Sequence, residues 1–236
     1  MKRLNLTFPE LPYAVEQALK RLQVNVAFSG NDTKRILITS SVPNEGKSFV
    51  SVQLWKMLAE SGSKAVFLDL DFRNSELMSR HSIRTEDGSV PYGLDFYLSG
   101  RADIEDVLYS TNVENGDFIP CTNLLENPSS LFEDKRFAML LDALASEYRY
   151  VIIDSAPLEY VADGNLIATH CDGAILVVRC AHVPRKIIRN SIQTLESVGC
   201  KLLGVALNRE DKNTRGYGKY YGGYGYGVYG NKSSDK

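Results

Sequence analysis

The sequence predicts an α/β fold, a mainly parallel sheet with helices on both faces, followed by a disordered C-terminal tail rich in glycine and tyrosine. Three observations carry this expectation. Five runs, Arg35–Thr39, Ala65–Asp69, Tyr150–Asp154, Ala174–Val178 and Leu202–Leu207, are almost continuously apolar and rich in β-branched residues, and unbroken apolarity in a strand means burial on both faces. Helical periodicity fills the gaps between them, and strands alternating with helices build parallel sheets. From Arg209 onward the periodicity stops; between Gly216 and Gly230 lie six of the thirteen tyrosines and seven of the eighteen glycines.

Composition bounds the possibilities. The chain has 236 residues, 44% of them apolar, enough to bury about 70–75% of the surface of the unfolded chain. Charged residues make up 24% and the net charge is −2, a poor fit to a basic nucleic-acid protein or an acidic disordered chain, so no nucleic-acid partner is expected. The opening MKRLNLTFPELPYAV has early positive charges but no apolar stretch behind them, unlike a secretory signal. Nothing approaches the ~20 apolar residues of a spanning helix, so a soluble, cytoplasmic chain is expected. Cys121, Cys171, Cys180 and Cys200 form no CxxC pair and the three histidines are dispersed; neither a zinc site nor a disulfide framework is signalled.

Taken in order, an amphipathic helix at about Leu11–Phe28 precedes the first strand. A helix over Ser48–Ser61 leads to the second. The stretch Thr85–Thr122, punctuated by Gly88, Pro91, Gly93 and Gly100, predicts short helices at Leu94–Leu98 and Ile104–Tyr109 packed at the sheet edge. Helices over Arg136–Glu147 and Pro184–Val198 precede the third and fifth strands. The expected organisation is an N-terminal helix suited to oligomerisation (1–30), one α/β domain (31–208) and the tail (209–236).

The chemistry starts after the first strand, in Ser40-Ser-Val-Pro-Asn-Glu-Gly-Lys-Ser48. Its end, Gly46-Lys47-Ser48, matches a P-loop in the required strand–loop–helix context and makes the fold P-loop NTPase-like. In such a loop the backbone N–H groups, here around Ser41, Asn44, Glu45 and Gly46, cradle phosphates. Lys47 reaches the β/γ oxygens and the Ser48 hydroxyl ligates Mg²⁺. Ser41 stands where the general pattern has its first glycine.

Carboxylates follow at two further strand ends. In Val66-Phe-Leu-Asp-Leu-Asp-Phe-Arg73 the i, i+2 spacing of Asp69 and Asp71 puts both on one side. They can hold Mg²⁺ or its waters and accept a proton from a nucleophile, and Arg73 can counter them or contact phosphate. A solvated acidic turn is the blander reading. Val151-Ile-Ile-Asp154 ends an apolar strand in aspartate, as in a Walker B motif, and Asp154 would bind Mg²⁺ through water or Ser48. Asn208 ends the last strand on the same edge, where its amide either meets an adenine or merely terminates the strand.

Together, SSVPNEGKS, VFLDLDFR, VIIDSAP and the terminal tyrosine cluster resemble the bacterial tyrosine kinases of capsular and exopolysaccharide synthesis. The resemblance covers essentially the whole chain, Asn127-Pro-Ser-Ser-Leu-Phe132 included. It implies an ATP-dependent protein-tyrosine kinase in which Lys47, Ser48, Asp69, Asp71 and Asp154 form the Mg-ATP site. One of the Asp69/Asp71 pair would assist deprotonation of a tyrosine hydroxyl. It also implies autophosphorylation, in trans, at Tyr217, Tyr220, Tyr221, Tyr224, Tyr226 and Tyr229. The implied partners are a membrane adaptor and activator of the polysaccharide co-polymerase type, which would recruit the chain to the inner face of the membrane, a homo-oligomer and a cognate tyrosine phosphatase.

Two departures stand out. Asn44 replaces the middle glycine of the family's P-G-E-G-K loop, and asparagine tolerates positive φ better than most residues. Gln17, Lys20 and Gln23 occupy the positions of a Glu-x-x-Arg-x-x-Arg oligomerisation motif, and lysine cannot copy the fork of arginine; Glu16 and Arg21 offer a different pairing.

The tail carries six Lys/Arg against three Asp/Glu, so it would be drawn toward an acidic site. Two other readings share the fold. A ParA/MinD-like ATPase switch would place its signature lysine at Val42 and is the runner-up. A degraded NTPase with an RNA-binding Gly/Tyr tail is less well served, since the tail has one Arg-Gly pair, Arg215-Gly216.

Overall fold

The computed structural model describes residues 2–209; Tyr217, Tyr220, Tyr221, Tyr224, Tyr226, Tyr229 and the predicted tail disorder lie outside the described residues. The strands are β1 (Arg3–Asn5), β2 (Arg35–Ser40), β3 (Ala65–Asp69), β4 (Arg84–Thr85), β5 (Tyr109–Thr111), β6 (Gly116–Ile119), β7 (Tyr150–Asp154), β8 (Gly173–Arg179) and β9 (Leu202–Asn208). They form one sheet in the order β4-β1-β5-β6-β3-β7-β2-β8-β9. All pairings from β6 to β9 are parallel, while β1 with β4 and β5 with β6 run antiparallel.

Helices cover both faces: α1 (Tyr13–Ala27), α2 (Lys47–Glu60), α3 (Leu77–Arg80), α4 (Leu94–Leu98), α5 (Ile104–Val107), α6 (Ser129–Glu133), α7 (Lys135–Glu147), α8 (Asp163–Ala168) and α9 (Arg185–Ser197). Successive strand residues serve opposite faces. Leu37, Val66, Val151 and Ile153 belong to a core shared with Leu140 of α7, Ile167 of α8 and Leu195 of α9. Ile36, Ile38, Phe67 and Ile152 belong to another, with Val26 of α1 and Trp55 and Leu58 of α2. This two-sided burial is why β2, β3, β7 and β8 read as unbroken apolar runs; β9, also expected to be buried on both faces, ends the sheet and has Val205 and Leu207 exposed.

The stretch before β7 also departs from the sequence expectation. The stretch Thr85–Thr122 holds the two short helices, but it also contributes β5 and β6, and β6 pairs directly with β3. The edge therefore lies further out than expected. An aromatic cluster holds β6 in place: Phe67 and Phe118 stack at 4.8 Å and Trp55 meets Phe118 edge-on at 5.6 Å. Gly116 is needed there, because a Cβ would stand 2.8 Å from Trp55 Cζ2. The N-terminal segment is tied in by β1, which pairs with β5.

Along α1, Lys20 pairs with Glu16 at 2.7 Å, and Gln23 donates to the Met57 carbonyl of α2 at 3.0 Å. Tyr13, Val24 and Phe28 remain exposed. Among the described residues no helix is long and apolar enough to cross a membrane.

Candidate active site at the carboxyl edge of the sheet

The strand order sets the site. β3, β7, β2, β8 and β9 are neighbours and parallel, so their carboxyl ends form one edge, the usual ligand-binding edge of open α/β sheets. The P-loop leaves β2 in the middle of that edge and enters α2. Asn44 takes φ 66° and Gly46 φ 93°, so the asparagine does adopt the left-handed conformation for which glycine is otherwise chosen. Gly46 is also required by space, since a Cβ there would come within 2.0 Å of Asn208 Nδ2. No side chain caps α2. Its first N–H groups are therefore available to an anion.

Three residues of the expected nucleotide site use their side chains to hold the loop. Glu45 is fully buried; its carboxylate accepts from the Val42 N–H and from the Arg179 N–H at the end of β8, each at 2.9 Å. Ser41 is buried too, and its hydroxyl accepts from Ser191 Oγ of α9 at 2.9 Å. Asn208 donates to the Glu45 carbonyl at 2.8 Å and accepts from the Arg209 N–H. Its amide ends are occupied, although its side chain still borders the cavity. With the Val42 N–H taken by Glu45, the main-chain N–H groups of Asn44, Glu45 and Gly46 remain as phosphate contacts in this segment.

Lys47 and the strand-end carboxylates converge. Lys47 Nζ lies 2.5 Å from Asp71 Oδ2, 3.9 Å from Asp154 Oδ2 and 3.2 Å from Ser48 Oγ. Burial opposes the lysine's charge, but Asp154 and Asp71 outweigh it and raise its pKa. Asp69 is fully buried and accepts from the Ser75 hydroxyl; burial, then the neighbouring Asp154, push it up to about 8. Burial likewise lifts Asp154 to about 6 against the pull of Lys47. Neither oxygen of Asp154 has a hydrogen-bond partner.

Such a pair of buried, unpartnered oxygens beside a serine hydroxyl is costly unless a ligand uses it. All the donors are hard oxygens, and one or two carboxylates suit magnesium, which keeps waters and takes phosphate oxygens. Among the described residues no group of three or more His, Cys, Asp or Glu side chains is placed to hold a metal ion by itself. The residues present fit Mg²⁺: neither oxygen of Asp154 is hydrogen-bonded, and the Ser48 hydroxyl beside it accepts only from Lys47, which a phosphate would draw away. Asp69 is engaged by Ser75 and Asp71 by Lys47.

Arg73 goes to a partner that the sequence did not disclose. It grips the buried Asp163 of α8 through Nε at 2.5 Å and Nη2 at 3.3 Å, and donates to the Glu126 carbonyl. Ser129 Oγ donates to the same carboxylate at 2.7 Å. A bidentate pair of this kind fixes a guanidinium firmly; Arg73 borders the cavity as a held wall.

The cavity itself measures about 580 Å³ and runs from Asn208 and Arg209 past the P-loop to Asp71, Arg73 and α3, with Pro157 and Tyr160 after β7 on its rim. Asp71 lines it, whereas Asp69 and Asp154 are buried beneath its wall.

The raised carboxylates make a stability prediction. Asp69 keeps its proton in the folded, nucleotide-free protein to about pH 8 but loses it near 4 when unfolded. The native state thus binds more protons between those limits, and its stability falls as pH rises through them. Asp69→Asn, which mimics the protonated form, is expected to stabilise the nucleotide-free protein by about 2–4 kcal/mol at pH 7 and by less at pH 5. Thermal melts at the two pH values check this; equal or lower stability of the variant at pH 7 would contradict it.

Comparison with known proteins agrees with the geometry. Residues 33–203 match the family model described as an AAA domain. The tyrosine-protein kinase CpsD of Streptococcus agalactiae is 34% identical over 227 residues, covering 95% of this chain and 97% of that one. The solved kinase domain of the Escherichia coli tyrosine kinase ETK superposes with a TM-score of 0.71 at 26% identity, covering 90% of this chain and 80% of that one. The septum site-determining protein MinD from Pyrococcus horikoshii, solved with Mg-ADP, gives a TM-score of 0.64 at 24% identity over 77% of this chain and 72% of that one, a likeness of fold.

Proposed function

The chain belongs to the bacterial tyrosine-protein kinases, and we propose that it transfers the γ-phosphoryl group of Mg-ATP to Tyr217, Tyr220, Tyr221, Tyr224, Tyr226 and Tyr229 of a neighbouring copy, regulating capsular or exopolysaccharide synthesis and export. The observation that carries this reading is the convergence of Lys47, Asp71 and Asp154 at the mouth of the P-loop.

Each residue has a task. The loop and α2 N–H groups bind the phosphates. Lys47, which in the nucleotide-free state neutralises Asp71 and Asp154, binds the β/γ oxygens and stabilises the charge that spreads over the transferring group. Ser48 and Asp154 would hold Mg²⁺, which supplies charge neutralisation and orientation of the phosphates when bound. Asp71, at the cavity wall, takes the phenol proton as the new O–P bond forms and the bond from γ-phosphorus to the bridging oxygen breaks, leaving ADP. A phenol with pKa near ~10 needs such a base at neutral pH. Asp69 is the supporting carboxylate, since it is fully buried, does not line the cavity and is engaged by Ser75.

Transfer between copies is supported by where the chain leaves the domain. Arg209 borders the β9 end of the cavity, whereas Asp71 stands at the β3 end, so the chain leaves the domain on the side away from the base. The exposed Tyr13 and Val24 of α1, with Phe28 just after it, are a surface through which copies can associate. The Glu-x-x-Arg-x-x-Arg positions do not serve that purpose in the usual way, because Lys20 pairs within its own helix and Gln23 with α2. A membrane adaptor of the polysaccharide co-polymerase type would activate the kinase and recruit it to the inner membrane face, and a tyrosine phosphatase would reset it; family membership supports both.

Mixing two variants tests the transfer. A chain truncated after Asn208 keeps the site and has no acceptor, while Lys47→Met keeps the tail and lacks the lysine. Incubated together with Mg-ATP and an adaptor segment, they are expected to place phosphotyrosine on the Lys47→Met tail. Label that appears only on the wild-type chain alone, and never in the mixture, would contradict transfer between copies.

A further inference from the structure

We propose that the exposed face of α9 formed by Arg185, Lys186 and Arg189 is a docking surface for phosphotyrosine, and that its occupant is the phosphorylated segment 216–230 of the same chain. This rests on the tail-phosphorylation reading and concerns the product of that reaction, held away from the site that makes it.

The charges of this face have no local use. All three side chains are exposed, none takes part in an ion pair among the described residues, and no acidic residue stands in the first turn of α9. Cations near a helix N-terminus oppose the macrodipole, so they are unfavourable to the helix until an anion joins them. Glu159 approaches α9 from another side. Its Oε1 lies 3.4 Å from the hydroxyl of the buried Ser191, two residues and about half a turn round from Arg189. An arginine fork matches phosphate with two parallel hydrogen bonds, and a neighbouring lysine adds a point charge.

The chain leaves the domain beside this face. The Cys180 N–H, just after β8, donates to the Asn208 carbonyl at the end of β9 at 2.9 Å. Arg185 follows Cys180 by five residues, so it lies at most ~18 Å from that bond. Tyr217 follows Arg209 by eight residues, a reach of up to ~28 Å. The segment can therefore meet α9 without crossing the domain. Taken extended, Tyr224 and Tyr226 project to one side about 7 Å apart, close to the ~6 Å rise that separates Arg185 from Arg189 on the helix. Tyr220 and Tyr221 are adjacent in sequence and project to opposite sides of an extended chain.

Charge makes the docking conditional on phosphorylation. After Arg209 the segment has five Lys/Arg against three Asp/Glu, so the unmodified segment is repelled by the cations of α9. Each phosphate adds about −1.5 to −2, and two of them reverse the sign. Phosphotyrosines held on α9 are sheltered from a phosphatase and withdrawn from neighbouring copies.

The test uses the full chain, dephosphorylated and without ATP, and synthetic peptides of residues 214–230. The peptide phosphorylated at Tyr224 and Tyr226 is expected to bind about ten-fold or more tightly than the unmodified peptide and than one phosphorylated at Tyr220 and Tyr221, with affinity falling as salt rises. Arg185→Gln/Lys186→Gln/Arg189→Gln is expected to lose this binding, to keep the wild-type ATP turnover, and to melt at or above the wild-type temperature. Equal binding of the two phosphopeptides, or binding retained by the triple variant, overturns the docking face. So does a wild-type chain that binds phosphatidylglycerol vesicles through these three residues and ignores the phosphopeptide, which assigns the face to a lipid surface. In chains phosphorylated with Mg-ATP, an added tyrosine phosphatase is expected to clear the variant's tail about ten-fold faster than the wild type's, at every protein concentration. Shelter that grows with concentration gives the segment to a second copy and overturns the same-chain assignment. A wild-type chain that never acquires tail phosphotyrosine overturns the tail reading and this occupant with it, whereas failure of the peptide alone leaves that reading intact.

Discussion

Lys47→Met is expected to reduce tyrosine phosphorylation by about 10³-fold or more and also to weaken the fold. The two losses share one cause. Lys47 is the cation against which Asp71 and Asp154 are buried, at 2.5 and 3.9 Å, and its removal leaves those carboxylates unpaired in a site that already raises Asp69 and Asp154. Breaking a buried pair from one side costs about 3–5 kcal/mol. Here the cost is expected near that range at pH 8 and smaller at pH 6, because the carboxylates can take up protons. Melting curves at both pH values separate destabilisation from loss of chemistry, and rates are read below the variant's melting transition. A phosphorylation rate within ten-fold of wild type would remove Lys47 from the mechanism.

Asp71→Asn should lower the transfer rate at pH 7 by roughly 10²–10⁴-fold, the usual contribution of a positioned general base, with nucleotide affinity kept. The side chain it replaces borders the cavity and is held by Lys47 and the Asn74 N–H. Lys47 retains Asp154 as a partner, so the phosphate end survives. The discriminating readout is pH. Without the carboxylate, transfer depends on phenolate already present, and the deficit should shrink steadily toward the tyrosine pKa near ~10. A deficit independent of pH would mean that Asp71 acts through structure alone, and an undiminished rate would assign the proton to another group.

Much of this site was legible in the sequence, for identifiable reasons. Four of the five strands that build the carboxyl edge, β2, β3, β7 and β8, are buried on both faces and so read as apolar runs, and the ends of β2, β3 and β7 bring Lys47, Asp69, Asp71 and Asp154 together; β9 reads the same way but lies at the sheet edge with Val205 and Leu207 exposed. Asn44 was legible too, because few non-glycine residues tolerate the φ of 66° that it adopts. The short strands β1, β4, β5 and β6 were not. They span two to four residues, too few for a periodicity to show, and β6 is held by Trp55 and Phe67, which are distant in sequence.

Partner choice was illegible for a different reason. Nothing local ties Arg73 to Asp163, ninety residues on, or turns Glu45 inward to Val42 and Arg179; those choices follow from the arrangement of the whole edge. Tyr160 carried no signal at all as a lone aromatic in the loop after β7. Only the cavity gives it a context.

The central claim, that this site phosphorylates the tyrosine cluster following Arg209, is tested most directly by phosphosite mass spectrometry. The full chain is incubated with Mg-ATP, with and without an adaptor segment, beside Lys47→Met under the same conditions. The account predicts phosphate on tyrosines between Tyr217 and Tyr229 of the wild-type chain and none on the variant incubated alone. A wild-type chain that turns over ATP under activating conditions while those six tyrosines stay unmodified would contradict it.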